Sequence, residues 1–267
     1  MNSTTFGLDI GRFKCTVVSD GTISVPGPLP PGSSIRPEER PHEVMDVTCL
    51  LIQQGQRKIL IDTGCGNVFQ SSAGKLLQNL LKEGINPADI DTIIYTHGHP
   101  DHVGGTFDSE GKPVYPHARQ VVSRKEWECW AGPETGPNGR MFNIARKNLL
   151  PIPDQFDLAE DNSEVMTGIK LVPASGHTLG GVMIEISSGR DKLLCIGDLI
   201  HSQLEFTQPE YYSFLDSAPA EAIRLRTEGL AEIAKAGVLV FACHFPFPGI
   251  GHIVQKAGLL SWQPIQV

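Results

Sequence analysis

The chain is short of several things, and each shortage excludes a class of function. No stretch approaches the ~18 consecutive apolar residues that a membrane-spanning helix needs, so no span is expected. No basic run stands out among 22 Lys and Arg residues set against 30 Asp and Glu. A net charge of −8 leaves no footprint for nucleic acid. The first twenty residues scatter Asp9, Arg12 and Lys14 among short apolar pieces, without the basic-then-apolar order of a secretory signal, so the chain reads as cytoplasmic. Six cysteines, at 15, 49, 65, 129, 195 and 243, include no C-x-x-C pair. A disulfide framework is not expected in a cytosolic chain of this size. Cys15, Cys49, Cys195 and Cys243 fall in strand-like runs and read as small buried hydrophobes. No linker composition interrupts the sequence, so residues 1–267 are read as one domain. At 40% hydrophobic residues that domain has enough apolar side chains for a sizeable core.

What is present reads as two β-rich halves, each followed by helices. Phe13 to Val18 alternates and predicts a strand, turning at Asp20-Gly21 into a second strand over Thr22 to Val25. The proline- and glycine-bearing stretch from Pro26 to Pro41 predicts a loop. Val44 to Gln53 and Lys58 to Asp62 predict a hairpin around Gln54-Gly55. Ala73 to Glu83 carries Leu76, Leu77, Leu80 and Leu81 at helical spacing and stops at Gly84. Further on, the pattern predicts strands at Val121-Val122, Ile169 to Pro173, Val182 to Ile186, Lys192 to Ile196 and Val238 to Cys243. Helices are predicted over Lys125 to Trp130, Met141 to Leu150, and from Asp216-Ser217-Ala218-Pro219 to Ala236, the last capped by Ser217 or Asp216 and ended by Gly237.

The densest chemistry lies between Thr96 and Gly105, where His97, His99, Asp101 and His102 fall within six residues. The β-branched run Asp91-Thr92-Ile93-Ile94-Tyr95 before them reads as a buried strand. His97 and His99, two apart at a strand end, project to one side, and Pro100 turns the chain so that Asp101 and His102 approach from another direction. Imidazoles suit zinc and its neighbours, and carboxylates suit harder ions. Four such groups so close can hardly all face one ion, which suggests two adjacent metals. The alternative is a solvated histidine-rich loop. Three further candidates each follow an apolar run: His177, Asp198 and His244. Taken singly, these read equally as a turn residue, a helix cap and a core histidine. His42, His117 and His252 lack such context.

His97-Gly98-His99-Pro100-Asp101-His102 resembles the H-x-H-x-D-H signature of the metallo-β-lactamase superfamily, and Ile61-Asp62-Thr63-Gly64 resembles the strand-turn motif before it. His177, Asp198 and His244 follow in the order of that family's remaining ligands. The resemblance implies a four-layer αβ/βα sandwich, an α/β fold. It further implies an early loop over the active site. One metal would take His97, His99 and His177, the other Asp101, His102 and His244, with Asp198 and a hydroxide bridging them. Two divalent ions are expected, zinc first, with manganese, cobalt or iron as alternatives because no soft sulfur ligand is evident. Asp62 would orient a liganding imidazole, and Asp101 would accept the nucleophile's proton.

The C-terminal third resembles the methyl-parathion-hydrolase-like and lactonase branch, through Gly197-Asp198-Leu199-Ile200-His201, Gln208-Pro209, Asp216-Ser217 and His244 to His252. The implied function is a dinuclear hydrolase of a lactone or aryl ester, acyl-homoserine lactones included, with promiscuity toward phosphotriesters. Alternatives are a dedicated organophosphate triesterase, a β-lactam hydrolase, or a catalytically idle metal-binding regulator. Lactonase relatives often carry tyrosine three places after the bridging aspartate. Here His201 stands there, as a candidate donor to the substrate oxygen. Trp127, Trp130, Phe206, Tyr211, Phe214, Phe245 and Phe247 are candidates to line an apolar pocket for a small ester or lactone. A homodimer is an open expectation.

Overall fold

A computed structural model describes residues 3–28, 33–36, 39–133 and 139–266. Strands β1 (Thr5–Ile10), β2 (Phe13–Pro26), β3 (His42–Gln54), β4 (Arg57–Ile61), β5 (Thr92–Ile94), β6 (Arg119–Ser123) and β7 (Phe156–Ala159) form one seven-stranded sheet in sequence order. Strands β8 (Glu164–Met166), β9 (Ile169–Pro173), β10 (Val182–Ser188), β11 (Asp191–Cys195), β12 (Leu239–Phe241), β13 (Ile250–Lys256) and β14 (Leu259–Pro264) form a second, also in sequence order. Both sheets are mixed. The first is antiparallel through β4 and parallel from β4 to β7. The second has one parallel pair, β11 with β12.

Side-chain alternation builds the layers. Leu50 and Ile52 point inward while Leu51 points outward. Ile59 and Ile61 point inward while Leu60 points outward. The inward set meets Ile184, Ile186, Leu193 and Cys195 of the second sheet in one central core. The outward set of the first sheet is covered by α1 (Leu76–Lys82), α3 (Arg124–Ala131) and α4 (Gly139–Leu149). Leu194, Val240 and Ile253 of the second sheet are covered by α6 (Leu230–Ala236). The result is the expected four-layer αβ/βα sandwich, with strand residues facing two apolar layers as buried sheets do. Two short helices complete it, α2 (Pro100–Val103) and α5 (Pro219–Arg224).

Several expectations change. Asp20-Gly21 is not a hairpin turn: β2 runs straight through it with a bulge between Ser19 and Gly21. The Asp20 carboxylate is buried there and accepts from the backbone N–H groups of Cys65, Gly74 and Leu76 at 2.8–3.0 Å. The long β2–β3 hairpin thus reaches over the sheet end, carrying Ile23, Val25 and Met45. The Pro26–Pro41 loop joins β2 to β3, and its residues 29–32 and 37–38 lie outside the described residues, as do 134–138 of the loop after α3. The helix beginning at Pro219 is capped by neither Asp216 nor Ser217. Its cap position is Ala218, which makes no side-chain cap bond, because Asp216 is engaged elsewhere. That helix is also interrupted. A π-helical turn over Leu225–Gly229 separates α5 from α6 before Gly237 closes it in the left-handed conformation. No described helix is long and apolar enough to cross a membrane.

Candidate metal centre

The expected ligands meet where the two sheets' strand ends adjoin. The chain leaves β5 at Ile94 and delivers His97 and His99. Helix α2, with Pro100 at its first position, then turns Asp101 and His102 back toward them. His177 comes from the loop between β9 and β10, Asp198 from a short 3-10 turn after β11, and His244 from just beyond β12.

Asp198 is the centre. One carboxylate oxygen lies 3.6 Å from His97 Nε2, 3.3 Å from His177 Nε2 and 3.5 Å from His201 Nε2. The other lies 3.1 Å from His102 Nε2 and 3.2 Å from His244 Nε2. Burial disfavours its charge, but His244, His102 and His97 outweigh burial and hold the carboxyl well below its usual range. His97, His99, His177 and Asp198 form one group of potential ligands, and His102, Asp198, Cys243 and His244 another. Asp101 adjoins the second group, its Oδ2 3.6 Å from His102 Nε2 and 3.4 Å from His244 Nε2. His42, bonded to Ser24, and His252, bonded to the Val238 carbonyl, belong to neither group, nor does His117.

These groups fit cations. His99 Nδ1 lies 3.1 Å from His97 Nε2 and 2.8 Å from His177 Nε2, and one N–H can satisfy only one of those contacts. Burial, with the neighbouring imidazoles, pushes His97 and His99 well below the usual histidine range, so both present neutral nitrogens. In the second group His102 Nε2 is buried without an aligned hydrogen bond. The opposite nitrogens are tied down from outside. Asp62 accepts from His102 Nδ1 at 2.8 Å, as expected, and from Thr96 N at 2.8 Å. His244 Nδ1 donates to the Asp46 carbonyl at 2.9 Å, and His177 Nδ1 lies 3.3 Å from Asp216 Oδ1. Fixing Nδ1 leaves Nε2 free for a metal.

Four features were missed. Cys243 reads in the sequence as a small buried hydrophobe of a strand-like run. In fact β12 ends at Phe241, strand alternation ends with it, and the thiol donates toward Asp198 Oδ1 at 3.5 Å. Arg226 is fully buried. It grips Asp216 with two bonds of 2.7 and 2.8 Å and lies 3.1 Å from Glu205. With His177, Arg226 outweighs burial and holds Asp216 down at about 2. Glu205 accepts from His201 N at 2.6 Å and faces His201 Nδ1 at 3.4 Å. Burial opposes charge on His201, but Glu205 and Asp198 raise it to about 9. Glu205 closes a capping box with Ser202, a signal present in the Ser202-x-x-Glu205 spacing. The fourth feature is Glu126, whose carboxylate lies buried between two ligand loops.

Two cavities open beside the centre. One, of about 200 Å³, is lined by Ile23, Val25, Met45, Phe69 and Met141 together with Asp101, Asp198 and His201. The other, of about 310 Å³, lies against Trp130, Phe142 and Leu179. They share His99, Phe214 and Leu215. Of the seven aromatics expected to line a pocket, only Trp130 and Phe214 do. Trp127 packs on Phe156, Phe206 and Phe245 belong to the outer core of the second sheet, Tyr211 packs against the cluster of Ile23, Met45 and Tyr212, and Phe247 packs on the central core.

The model of the metallo-beta-lactamase superfamily matches residues 42–244, which include every one of these ligand candidates. The chain belongs to the metallo-beta-lactamase superfamily. Its fold is similar to that of AidC, a dizinc quorum-quenching lactonase solved with the product N-hexanoyl-L-homoserine, at a TM-score of 0.89, 26% identity and 98% coverage of both chains. It is equally similar to the superfamily hydrolase AbOPH, at a TM-score of 0.88 and 27% identity over 100% of this chain and 99% of that one. An N-acyl homoserine lactonase from Bacillus sp is 26% identical over 208 residues, 69% of this chain and 77% of that protein. The chain spans 53% and 59% of two further curated relatives. With this His/Asp cluster, the chain is a metal-dependent hydrolase of that superfamily.

Proposed function

We propose that the protein hydrolyses a lactone or aryl ester at a dinuclear metal centre, with phosphotriesters as secondary substrates. His97, His99 and His177 would hold one ion, Asp101, His102 and His244 the other, and Asp198 both. Divalent ions in such a centre supply Lewis acidity and a water acidified to a pKa near ~7. The observation that carries the substrate class is the cavity of about 200 Å³ in which Asp101, Asp198 and His201 face Ile23, Val25, Met45, Phe69 and Met141. It offers an apolar wall to an acyl or aryl arm and a polar floor to the reacting carbonyl. The likeness to AidC supports the same class.

The chain's own residues divide the work. Asp101, at the cavity floor, accepts a proton from the attacking water. Glu205 holds His201 by backbone and ring; His201 lines the cavity with its Nε2 3.5 Å from Asp198 Oδ2, and would serve as the hydrogen-bond donor to the substrate's oxygen. Such a donor counts most as charge develops on the carbonyl oxygen. The apolar walls keep bulk water from that oxygen and strengthen the bond.

A turnover panel of lactones, aryl esters, a phosphotriester and a β-lactam on metal-loaded protein tests the reading. The highest kcat/KM is expected on a lactone or aryl ester. A β-lactam preference would contradict it. Full metal loading without turnover on any of them would favour the idle regulator.

A further inference from the structure

We infer that Glu126 is a positioning residue that sets the distance between the two loops carrying the first ligand group, and thereby that group's affinity for its ion. The inference rests on the ligand assignment above. Glu126 lies in the first turn of α3, and its side chain is wholly buried. One oxygen, Oε1, accepts from the Gly98 N–H at 2.8 Å and from Trp130 Nε1 at 2.6 Å. The other, Oε2, accepts from Thr178 Oγ1 at 2.8 Å and from the Gly180 N–H at 3.0 Å. Gly98 stands between His97 and His99, while Thr178 and Gly180 follow His177. Each oxygen therefore holds one loop, and the rigid spacing of a carboxylate joins them. Across the same gap His99 Nδ1 and His177 Nε2 stand 2.8 Å apart.

Nothing else explains a carboxylate in this place. The helix N-terminus is already capped by Ser123, whose hydroxyl accepts from the Glu126 N–H. Among the described residues no lysine or arginine pairs with Glu126; four N–H and O–H donors satisfy it instead, the condition for tolerating a buried charge. Both loops press on α3 itself. A Cβ at Gly98 would stand 2.3 Å from Trp130 Nε1, and one at Gly180 would stand 2.0 Å from the Glu126 backbone nitrogen. Glycine at these two places is what lets the loops approach closely enough for one side chain to bind both.

The second ligand group does not use this clamp. His102 is oriented by Asp62 and His244 by the Asp46 carbonyl. A difference between the two ion sites follows, which a general loss of stability would not produce. The test is stepwise zinc binding to full-length apoprotein by competition with a chromophoric chelator, repeated with cobalt to read the visible absorption. Glu126→Gln keeps the size but turns an N–H₂ toward two donors. It should weaken one of the two binding steps by roughly 10–100-fold, the range for losing an outer partner of a ligand, and leave the other within about twofold. Asp62→Asn should weaken the other step. Folded Glu126→Gln protein with both affinities unchanged, or both lowered by one factor, overturns the inference. If Glu126→Gln does not fold, Thr178→Val decides. It removes one of the four bonds and keeps the carboxylate, and it should weaken the step that Asp62→Asn spares. Wild-type binding at both steps in Thr178→Val would then overturn it.

Discussion

The two ligand groups sit within one cluster but are held by different means. His97 and His99 come from the first half of the sandwich and His177 from the second; Glu126 of α3 joins their loops, and Asp216, braced by Arg226, steadies His177 from within its own half. His102 directly follows Asp101 in α2 and is oriented by Asp62 from the neighbouring strand end of its own half. His244 arrives alone from the second half and leans on a backbone carbonyl of β3. The first group therefore depends on one side chain that ties two ligand loops together, while in the second each imidazole is oriented separately, His102 from within its own half and His244 across the halves. Asp198 alone belongs to both groups, so it is where the difference should vanish.

The largest effect is accordingly expected at Asp198. Asp198→Ala should release both ions and lower turnover on the order of 10³-fold or more, beyond the 10–100-fold typical of an outer partner. Metal content and kcat on the same preparation check it. Retention of both ions with near-normal turnover would show that another residue bridges.

Arg226 breaks the comparison from the side of the first group. Arg226→Met leaves Asp216 and Glu205 buried without their cation, which costs about 3–5 kcal/mol when a buried charge loses its partner. Urea unfolding should show that loss. Arg226→Lys should not restore it, because an ammonium cannot reproduce the paired bonds to Asp216.

His201 lies beside both groups and in neither. His201→Ala should keep both metals and lower kcat and kcat/KM together by roughly 2–4 kcal/mol of transition-state stabilisation. His201→Tyr should shift preference toward homoserine lactones. Unchanged kinetics in the alanine variant would reduce His201 to a structural contact with Glu205.

The smallest effect is expected at the cavity wall. Phe214 lines both cavities and packs under the Arg40 guanidinium. Phe214→Ala should raise KM for apolar esters by several-fold, about 1 kcal/mol of lost apolar contact, with kcat little changed.

These residues also mark how far the sequence could be read. His97 to His102 were legible because one strand end and one proline pack four ligands into six positions. The central hairpins were legible because Leu50 to Ile52 and Ile59 to Ile61 are apolar on both faces. Edge strands were not: Thr5–Ile10 and Leu259–Pro264 are half-exposed and mix polar with apolar residues without clean alternation. Asp216 read as a helix cap because its local spacing is that of one, and only the fold brings Arg226 and His177 to it. Glu126, between Lys125 and Trp127 and two before Glu128, looks like any solvated helix residue. Its burial is set by loops that lie 28 and 52 residues away along the chain.

The claim at the centre is that this cluster holds two ions and uses both. Elemental analysis of protein purified without chelator, alongside its turnover of the best lactone or aryl ester as metal is added back to apoprotein, tests it most directly. The account predicts about two equivalents per chain, with activity reaching its plateau only as the second is bound. Full activity at a reproducible single equivalent would contradict it.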